Sequence, residues 1–339
     1  MRWGTARTGA GDAQRCHHGV FAAPAIDTTK IDPPTPKATA RHRIATNTGL
    51  IAQSNSPQKE IAQLVGDDFL VLVSSDPIAK FKEAQKQGWA HFAPLEARTT
   101  PAAARLVKFA GVGAGQRALD VACGTGVVAI TAARLGAKVF AIDLTPELLE
   151  RARENSRIAD LEIDWREGDA EELPYSDGTF DAVLSQFGHM FAPRPDVVIR
   201  EMLRVLKPGG VIAFSTWPPE LMIGRSFTLV ASYMPPPPPG VSPPPQWGDP
   251  AIVRERLGSA VKGITFDRDR MSFPALSIPH YRRFIESTAG PMLKLVEMLS
   301  GSDPERLAKF RREYDALTAE YFADNIVRQN YLMTRAIKC

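Results

Sequence analysis

The sequence predicts an α/β fold in which a mostly parallel sheet is covered by crossover helices, and three observations carry that prediction. From Arg117 onward, short apolar runs alternate with segments of helical period, the pattern of strands joined by helices. A glycine turn, CGTG, links the first run to the first of these helices. The helical segments carry their own punctuation, with proline at the first position or glycine just past the end.

Taken in order, residues 1–56 are rich in Thr, Ala, Gly, Pro and scattered Arg and have neither helical nor strand period, which predicts a disordered tail. An organelle transit peptide is the competing reading, weakened by Asp12, Asp27 and Asp32. Residues 57–73 suggest a short helix and an apolar, strand-like patch. Ser75 or Asp76 caps a helix that Pro77 starts, and TTPAAARLVKFAGV gives a second capped helix ending at glycine. The apolar runs that follow are Ala118 to Ala122, Lys138 to Ile142, Leu161 to Trp165, Ala182 to Ser185 and Val211 to Thr216. Between them, Val127 to Leu135 ends at Gly136, and Thr145 with Pro146 starts a helix whose buried face holds Leu148, Leu149 and Ala152. Val197, Val198, Met202, Leu203 and Leu206 form the stripe of a third helix, stopped by KPGG.

After Trp217 the character changes. MPPPPPGVSPPPQWGDP cannot be helix or central strand, because proline fixes φ and lacks an amide donor, so an exposed, semi-rigid loop is expected. A docking motif for proline-binding modules is the rarer alternative. Beyond it, Gly263 to Phe273 reads as strand, Pro279 to Ala323 as two or three helices, and IVRQNYLMTRAIK as a closing strand.

Composition narrows the function classes. With 339 residues, 44% of them hydrophobic and 23% charged, the chain has the make-up of a folded protein with a sizeable core. A net charge of +3 with no basic run gives no electrostatic case for nucleic acid or a membrane surface. Cys16, Cys123 and Cys339 are too scattered for a disulfide framework or a zinc site, and a reducing, cytoplasmic setting is expected. The longest apolar run, near Phe69 to Val73, falls far short of the roughly 20 residues of a membrane span. No metal is expected, and the oligomeric state is open.

The chemistry concentrates around the glycine turn. Backbone amides at a helix N-terminus face a ligand there, and side chains would block its approach. GTGVVA also satisfies the dinucleotide pattern G-x-G-x-x-A, so a nicotinamide-dependent oxidoreductase is one reading. Against it stand three acids at successive strand ends: Asp120 just before the turn, Asp143 closing AID, and Asp169 in EGDAEELPYSDGTFD. An NAD site keeps apolar packing where Asp120 stands.

Four ordered stretches resemble class I S-adenosylmethionine-dependent methyltransferases: LDVACGTG, AIDLTPELLERAREN, GDAEELPYSDGTFDAV and RVLKPGG. The likeness covers residues 105–217 and is nearest to the small-molecule branch that includes ubiquinone and menaquinone biosynthesis C-methyltransferases. It implies a Rossmann-like, seven-stranded, mostly parallel sheet with helices on both faces and a helical lid inserted before the last strand. The implied layout is a tail at 1–56, N-terminal helices at 57–104, a cofactor-binding core at 105–217, a proline-rich loop, strand and lid at 218–325, and the closing strand at 326–339. S-adenosylmethionine would be the cofactor and a small, hydrophobic molecule the methyl acceptor, with in-line displacement at the methyl carbon. Cofactor contacts are implied at Asp120, Ala122, Cys123, Gly124, Gly126, Asp143, Leu144, Asp169, Ala170 and Gln186. Asp120 would hold the ammonium group, Asp143 both ribose hydroxyls, Asp169 the adenine amine and the Ala170 amide the ring, as donor and acceptor inventories allow. The departure is Ala122, where the family usually has glycine.

Each assignment has a structural rival. Asp143 could merely cap the helix after it, Asp169 could be a turn residue, and Cys123 could be a small buried filler rather than a nucleophile. His189, in SQFGHMF at the carboxyl edge of the fourth strand, is the candidate catalytic base, against the reading of a packed loop histidine. Trp89 and Phe92 could close over the cofactor or anchor a core. A non-catalytic S-adenosylmethionine-binding module would share every motif, and a protein or RNA methyltransferase is disfavoured because SQFG stands where an NPPY-like motif would.

Overall fold

The computed structural model describes residues 76–339, so the tail expected at 1–56 and the segment at 57–73 lie outside the described residues. Helix α1 (Pro77–Trp89) starts as its sequence dictates, with Asp76 Oδ1 accepting from Ile78 N at 2.9 Å and proline in the first turn. Helix α2 (Glu96–Ala110) begins earlier than TTP suggested and carries Pro101 inside it. The Thr99 and Thr100 hydroxyls donate to the Glu96 carbonyl at 3.0 and 2.8 Å, occupying an acceptor of the turn that the proline weakens. Gly111 then closes the helix at φ +73°.

The core alternates as expected: β1 (Arg117–Val121), α3 (Val127–Arg134), β2 (Lys138–Asp143), α4 (Pro146–Ile158), β3 (Asp164–Glu167), β4 (Phe180–Gln186), α5 (Pro195–Val205) and β5 (Leu206–Thr216). Two boundaries move for local reasons. Strand β3 starts at Asp164 rather than Leu161, because Leu161 N still bonds the Ser156 carbonyl in the turn that ends α4. KPGG is part of β5: Phe180 pairs with Leu206 and Ala182 with Val211, so the four residues form an irregularity in the strand.

The inserted segment holds α6 (Met222–Tyr233), α7 (Pro250–Leu257), β6 (Val261–Pro274), α8 (Ile278–Thr288), α9 (Gly290–Ser302), α10 (Pro304–Ala319) and β7 (Phe322–Ala323), before β8 (Ile326–Lys338). Helices α6 and α7 went unread in the sequence. The proline-rich stretch is not wholly exposed: it ends in a short 3₁₀ turn, Pro244–Gly248, that buries Trp247 against Phe214 and His189.

The strand order is β3-β2-β1-β4-β5-β8-β6, with the two-residue β7 also on β8. Strands β1 to β5 are parallel, β8 runs antiparallel to β5, and β6 antiparallel to β8. The sheet is therefore the expected seven strands plus one short addition. Alternate side chains feed two cores: Leu119, Val183 and Phe214 meet α5 on one face, and Ala118, Ala141 and Leu184 meet α2 and α3 on the other. A third core, with Met222, Phe273, Leu295 and Phe310, knits the inserted helices together. Strand order reverses between β1 and β4, which opens a crevice at their carboxyl ends. Among the described residues no helix is long and apolar enough to cross a membrane.

Candidate functional site

The crevice is the mouth of a cavity lined by both polar and apolar side chains. Of the residues predicted to contact a cofactor, Asp120, Ala122, Cys123, Gly124, Asp143, Leu144, Asp169, Ala170 and Gln186 all line it. Gly126 does not; it shapes the turn. Its φ is +83°, and a Cβ there would lie 2.4 Å from the Trp165 ring, so glycine is demanded both by backbone and by space.

The turn is held by the acids around it. Asp143 Oδ2 accepts from Gly124 N at 2.7 Å and Oδ1 from Thr145 N at 2.8 Å, so this carboxylate fixes the glycine loop and also caps the start of α4. Burial pushes its pKa up, and the amides of Thr145 and Gly124 oppose that. Thr145 makes no side-chain cap of its own. Asp120 Oδ2 accepts from Ala129 N at 3.0 Å, which leaves Oδ1 buried with no partner among the described residues. Burial pushes the Asp120 carboxyl up to about 8, against the Ala129 bond, and the like charge of Asp143 adds to it. Gln186 Nε2 donates to the Thr99 carbonyl at 2.9 Å, while its Oε1 is likewise buried without a partner.

Two residues lining this cavity carry backbone strain. Ala122 has φ +54° and Phe187 φ +62°, a region that favours glycine. Ala122 tolerates it because Gly188 lies opposite: a Cβ on Gly188 would sit 2.5 Å from the Ala122 carbonyl oxygen and 2.6 Å from its Cβ. Phe187 is held by stacking on Trp217, with centroids 4.0 Å apart and planes within 11°. Nothing in a strand-turn-helix pattern announces either feature.

At the third strand end, Asp169 Oδ1 accepts from Glu171 N at 2.9 Å, a turn bond, and Oδ2 from Lys82 Nζ at 2.5 Å. Lys82 of α1 also reaches Glu171 at 2.5 Å, and Arg194 holds that same buried carboxylate at 2.6 Å. Helix α1 is thereby latched over the rim, with Gln85 Nε2 donating to the Phe191 carbonyl at 3.0 Å. Sequence reasoning missed Lys82, since nothing local ties it to a loop 87 residues away. Arg98 is the other cation lining the cavity; among the described residues it has no carboxylate partner and lies over the Phe273 ring at 4.9 Å.

His189 is placed elsewhere. It is fully buried, does not line the cavity, and packs against Trp247 and Phe214 with centroids at 4.6 and 4.8 Å. Among the described residues neither ring nitrogen has a partner, and burial, helped by the Arg256 charge, pushes its pKa down to about 3. A neutral imidazole sealed among aromatics cannot exchange a proton with a ligand, so the expectation of a base here gives way to the packed-histidine reading. Cys123 lines the cavity, but burial raises its thiol pKa well above the ordinary value, and no base lies beside it to make a nucleophile.

Much of the rest of the cavity is apolar. Trp89 and Phe92 of the N-terminal segment, Phe191, Phe227 of α6 and Met292 of α9 line a chamber next to the polar cradle. The Trp89 ring packs against Phe191 at 4.6 Å with planes tilted by 54°, so the first helix contributes one wall. Among the described residues no group of His, Cys, Asp and Glu could hold a metal ion.

Residues 119–214 match a family model described as a methyltransferase domain. An uncharacterized protein of Mycobacterium tuberculosis is 37% identical over 258 residues, spanning 75% of this chain and 94% of its own length. The ubiquinone biosynthesis O-methyltransferase of Xanthomonas oryzae pv. oryzae is 43% identical over 104 residues, 30% of this chain and 44% of that protein. Among solved structures, phosphoethanolamine N-methyltransferase 2 of Haemonchus contortus in complex with S-adenosyl-L-methionine aligns with a TM-score of 0.45 at 21% identity, over 70% of this chain and 52% of that one.

Proposed function

We infer the reaction from one premise: the chain belongs to the S-adenosylmethionine-dependent methyltransferase family. Its cofactor is S-adenosylmethionine, and the reaction we propose is transfer of the methyl group to a small, mostly apolar acceptor. The single observation that carries the acceptor class is that one cavity contains both the polar cradle of Asp120, Gly124 and Asp143 and the aromatic chamber of Trp89, Phe92, Phe191 and Phe227.

The residues of the cradle fit the cofactor. Two buried acceptors without donors, Asp120 Oδ1 and Gln186 Oε1, suit an ammonium group, which must bring its own protons. Gly124 offers a backbone that a ligand can approach, with no atom within 4 Å of where a Cβ would stand. Each Asp143 oxygen accepts one amide and keeps a lone pair for a ribose hydroxyl, and Asp169 keeps one for the adenine amine, beside the Ala170 amide. When bound, the cofactor supplies an electrophilic methyl carbon on a sulfonium.

The chain's own part is orientation and exclusion of water. Helix α1, latched through Lys82, and the pair Trp89 and Phe191 form one side of the chamber, where an acceptor would be held beside the cofactor's methyl carbon. Among the described residues no histidine lines the cavity, and removal of an acceptor proton is not assigned to a side chain.

The test is incubation of the full chain with methyl-labelled S-adenosylmethionine and pools of quinones, phenols, sterols and fatty acids, followed by mass analysis. The reading expects label in an apolar product and none with Asp143→Ala. Label transferred only to protein or RNA would overturn the acceptor class.

A further inference from the structure

The lid half of the cavity is apolar except at one pole. There Tyr281 of α8, Tyr314 of α10 and Gln329 of β8 all line the cavity, and they are 1%, 1% and 4% exposed. Gln329 Nε2 donates to the Tyr281 oxygen at 2.8 Å. The Tyr314 ring lies alongside, 6.4 Å from the Tyr281 ring with planes within 11°. The Tyr281 oxygen thus already accepts from Gln329, and its proton is what it has left to offer. That proton points at Met222 Sδ, 3.9 Å away, a weak acceptor. Burial raises the Tyr281 pKa to about 12, so the hydroxyl stays protonated at neutral pH.

A buried hydroxyl that already accepts an amide proton and whose own proton rests on a thioether is a donor that gains from a better acceptor. Apolar side chains surround it in the same chamber, among them Ile285 and Met292. We propose that Tyr281, oriented by Gln329 and Tyr314, anchors the methyl acceptor by donating a hydrogen bond to an oxygen at the far end of an otherwise apolar molecule. Gln329 and Tyr314 are positioning residues; Tyr281 makes the contact. This assignment rests on reading the cavity as the site of methyl transfer, and it narrows the substrate class to apolar molecules with a hydrogen-bond-accepting oxygen: a carbonyl, an ether or a hydroxyl.

The test uses three probes of one shape, naphthalene, 2-methoxynaphthalene and 2-naphthol, titrated calorimetrically into the full chain with and without S-adenosylhomocysteine. The two oxygenated probes should bind roughly five- to tenfold more tightly than naphthalene, the worth of one buried hydrogen bond. In Tyr281→Phe that preference should shrink to within about twofold while S-adenosylhomocysteine affinity is unchanged, and Gln329→Leu should leave an intermediate preference. If Tyr281→Phe does not fold, the wild-type chain still decides. A donor at the pole binds 2-methoxynaphthalene as well as 2-naphthol, whereas a strong preference for 2-naphthol would mean that the pole accepts, and would overturn the proposal. So would indifference to oxygen, no binding of any probe, or a full preference retained by Tyr281→Phe. Failure of S-adenosylhomocysteine to bind the wild-type chain would instead overturn the methyltransferase reading of the cavity.

Discussion

At the carboxyl ends of β1 and β4, Asp120 Oδ1 and Gln186 Oε1 are buried acceptors with no donor among the described residues, whereas in the lid Gln329 bonds Tyr281 and the Tyr314 ring packs beside it. The first region has acceptors that a ligand's protons can satisfy. The second is largely satisfied from within and keeps a single weakly held proton to offer. Unsatisfied buried polar groups cost free energy that a ligand can return, so the cradle should depend strongly on its ligand and on pH, and the lid should not.

The largest break in that comparison is Asp143→Ala. It removes the oxygens we propose take the ribose hydroxyls and also frees the Gly124 and Thr145 amides, so S-adenosylhomocysteine affinity should fall by about 2–3 kcal/mol, measured by calorimetry. Next, Gly188→Ala forces a Cβ to within 2.5 Å of the Ala122 carbonyl oxygen, and overpacking of this kind costs roughly 1–3 kcal/mol, readable as a lower melting temperature.

A third prediction contrasts two buried groups by the sign of their pH response. Asp120 holds its proton to about 8 in the folded chain, against an ordinary value of 3.8, so ligand-free stability is lost as pH rises from near 4 toward 8. An ammonium group bound beside it favours the carboxylate, so binding of S-adenosylhomocysteine at neutral pH should release about one proton. Calorimetry in buffers of different ionisation enthalpy reads that release, and Asp120→Asn should abolish it. His189 behaves oppositely: its folded pKa near 3 lies below the ordinary 6.5, so stability is lost as pH falls through that window. His189→Phe should flatten the acid side, leave the melting temperature equal or higher, and leave methyl transfer intact; a large loss of activity would restore a functional role to that ring.

The smallest effect is expected at Ala122→Gly. Relief of a left-handed alanine, worth roughly 1–2 kcal/mol, is largely offset by the roughly 0.5–1 kcal/mol entropic cost of glycine, so a gain of well under one melting-curve width is the outcome.

These regions also differ in how far they could be read from sequence. The cradle was legible because its parts are local: Asp120, Gly124 and Gly126 share one turn, and strand periodicity puts Asp143 and Asp169 at neighbouring strand ends. The alternation of strands and helices was legible for the same reason. The lid's chemistry was not legible, since Tyr281, Tyr314 and Gln329 come from three elements whose meeting depends on helix packing, and each taken alone is an ordinary core residue. His189 misled because its position at a strand's end matched a catalytic site, while its burial was decided by Trp247, delivered from the proline-rich stretch. The Lys82 latch was hidden likewise, joining α1 to a loop far along the chain.

One measurement bears most directly on the central claim that the cradle holds a methyl donor beside the acceptor chamber: calorimetric titration of the full chain with S-adenosylmethionine, with NADH as the control. One-to-one binding of S-adenosylmethionine, lost in Asp143→Ala and absent for NADH, is the predicted result. Tight binding of NADH with none of S-adenosylmethionine would contradict it.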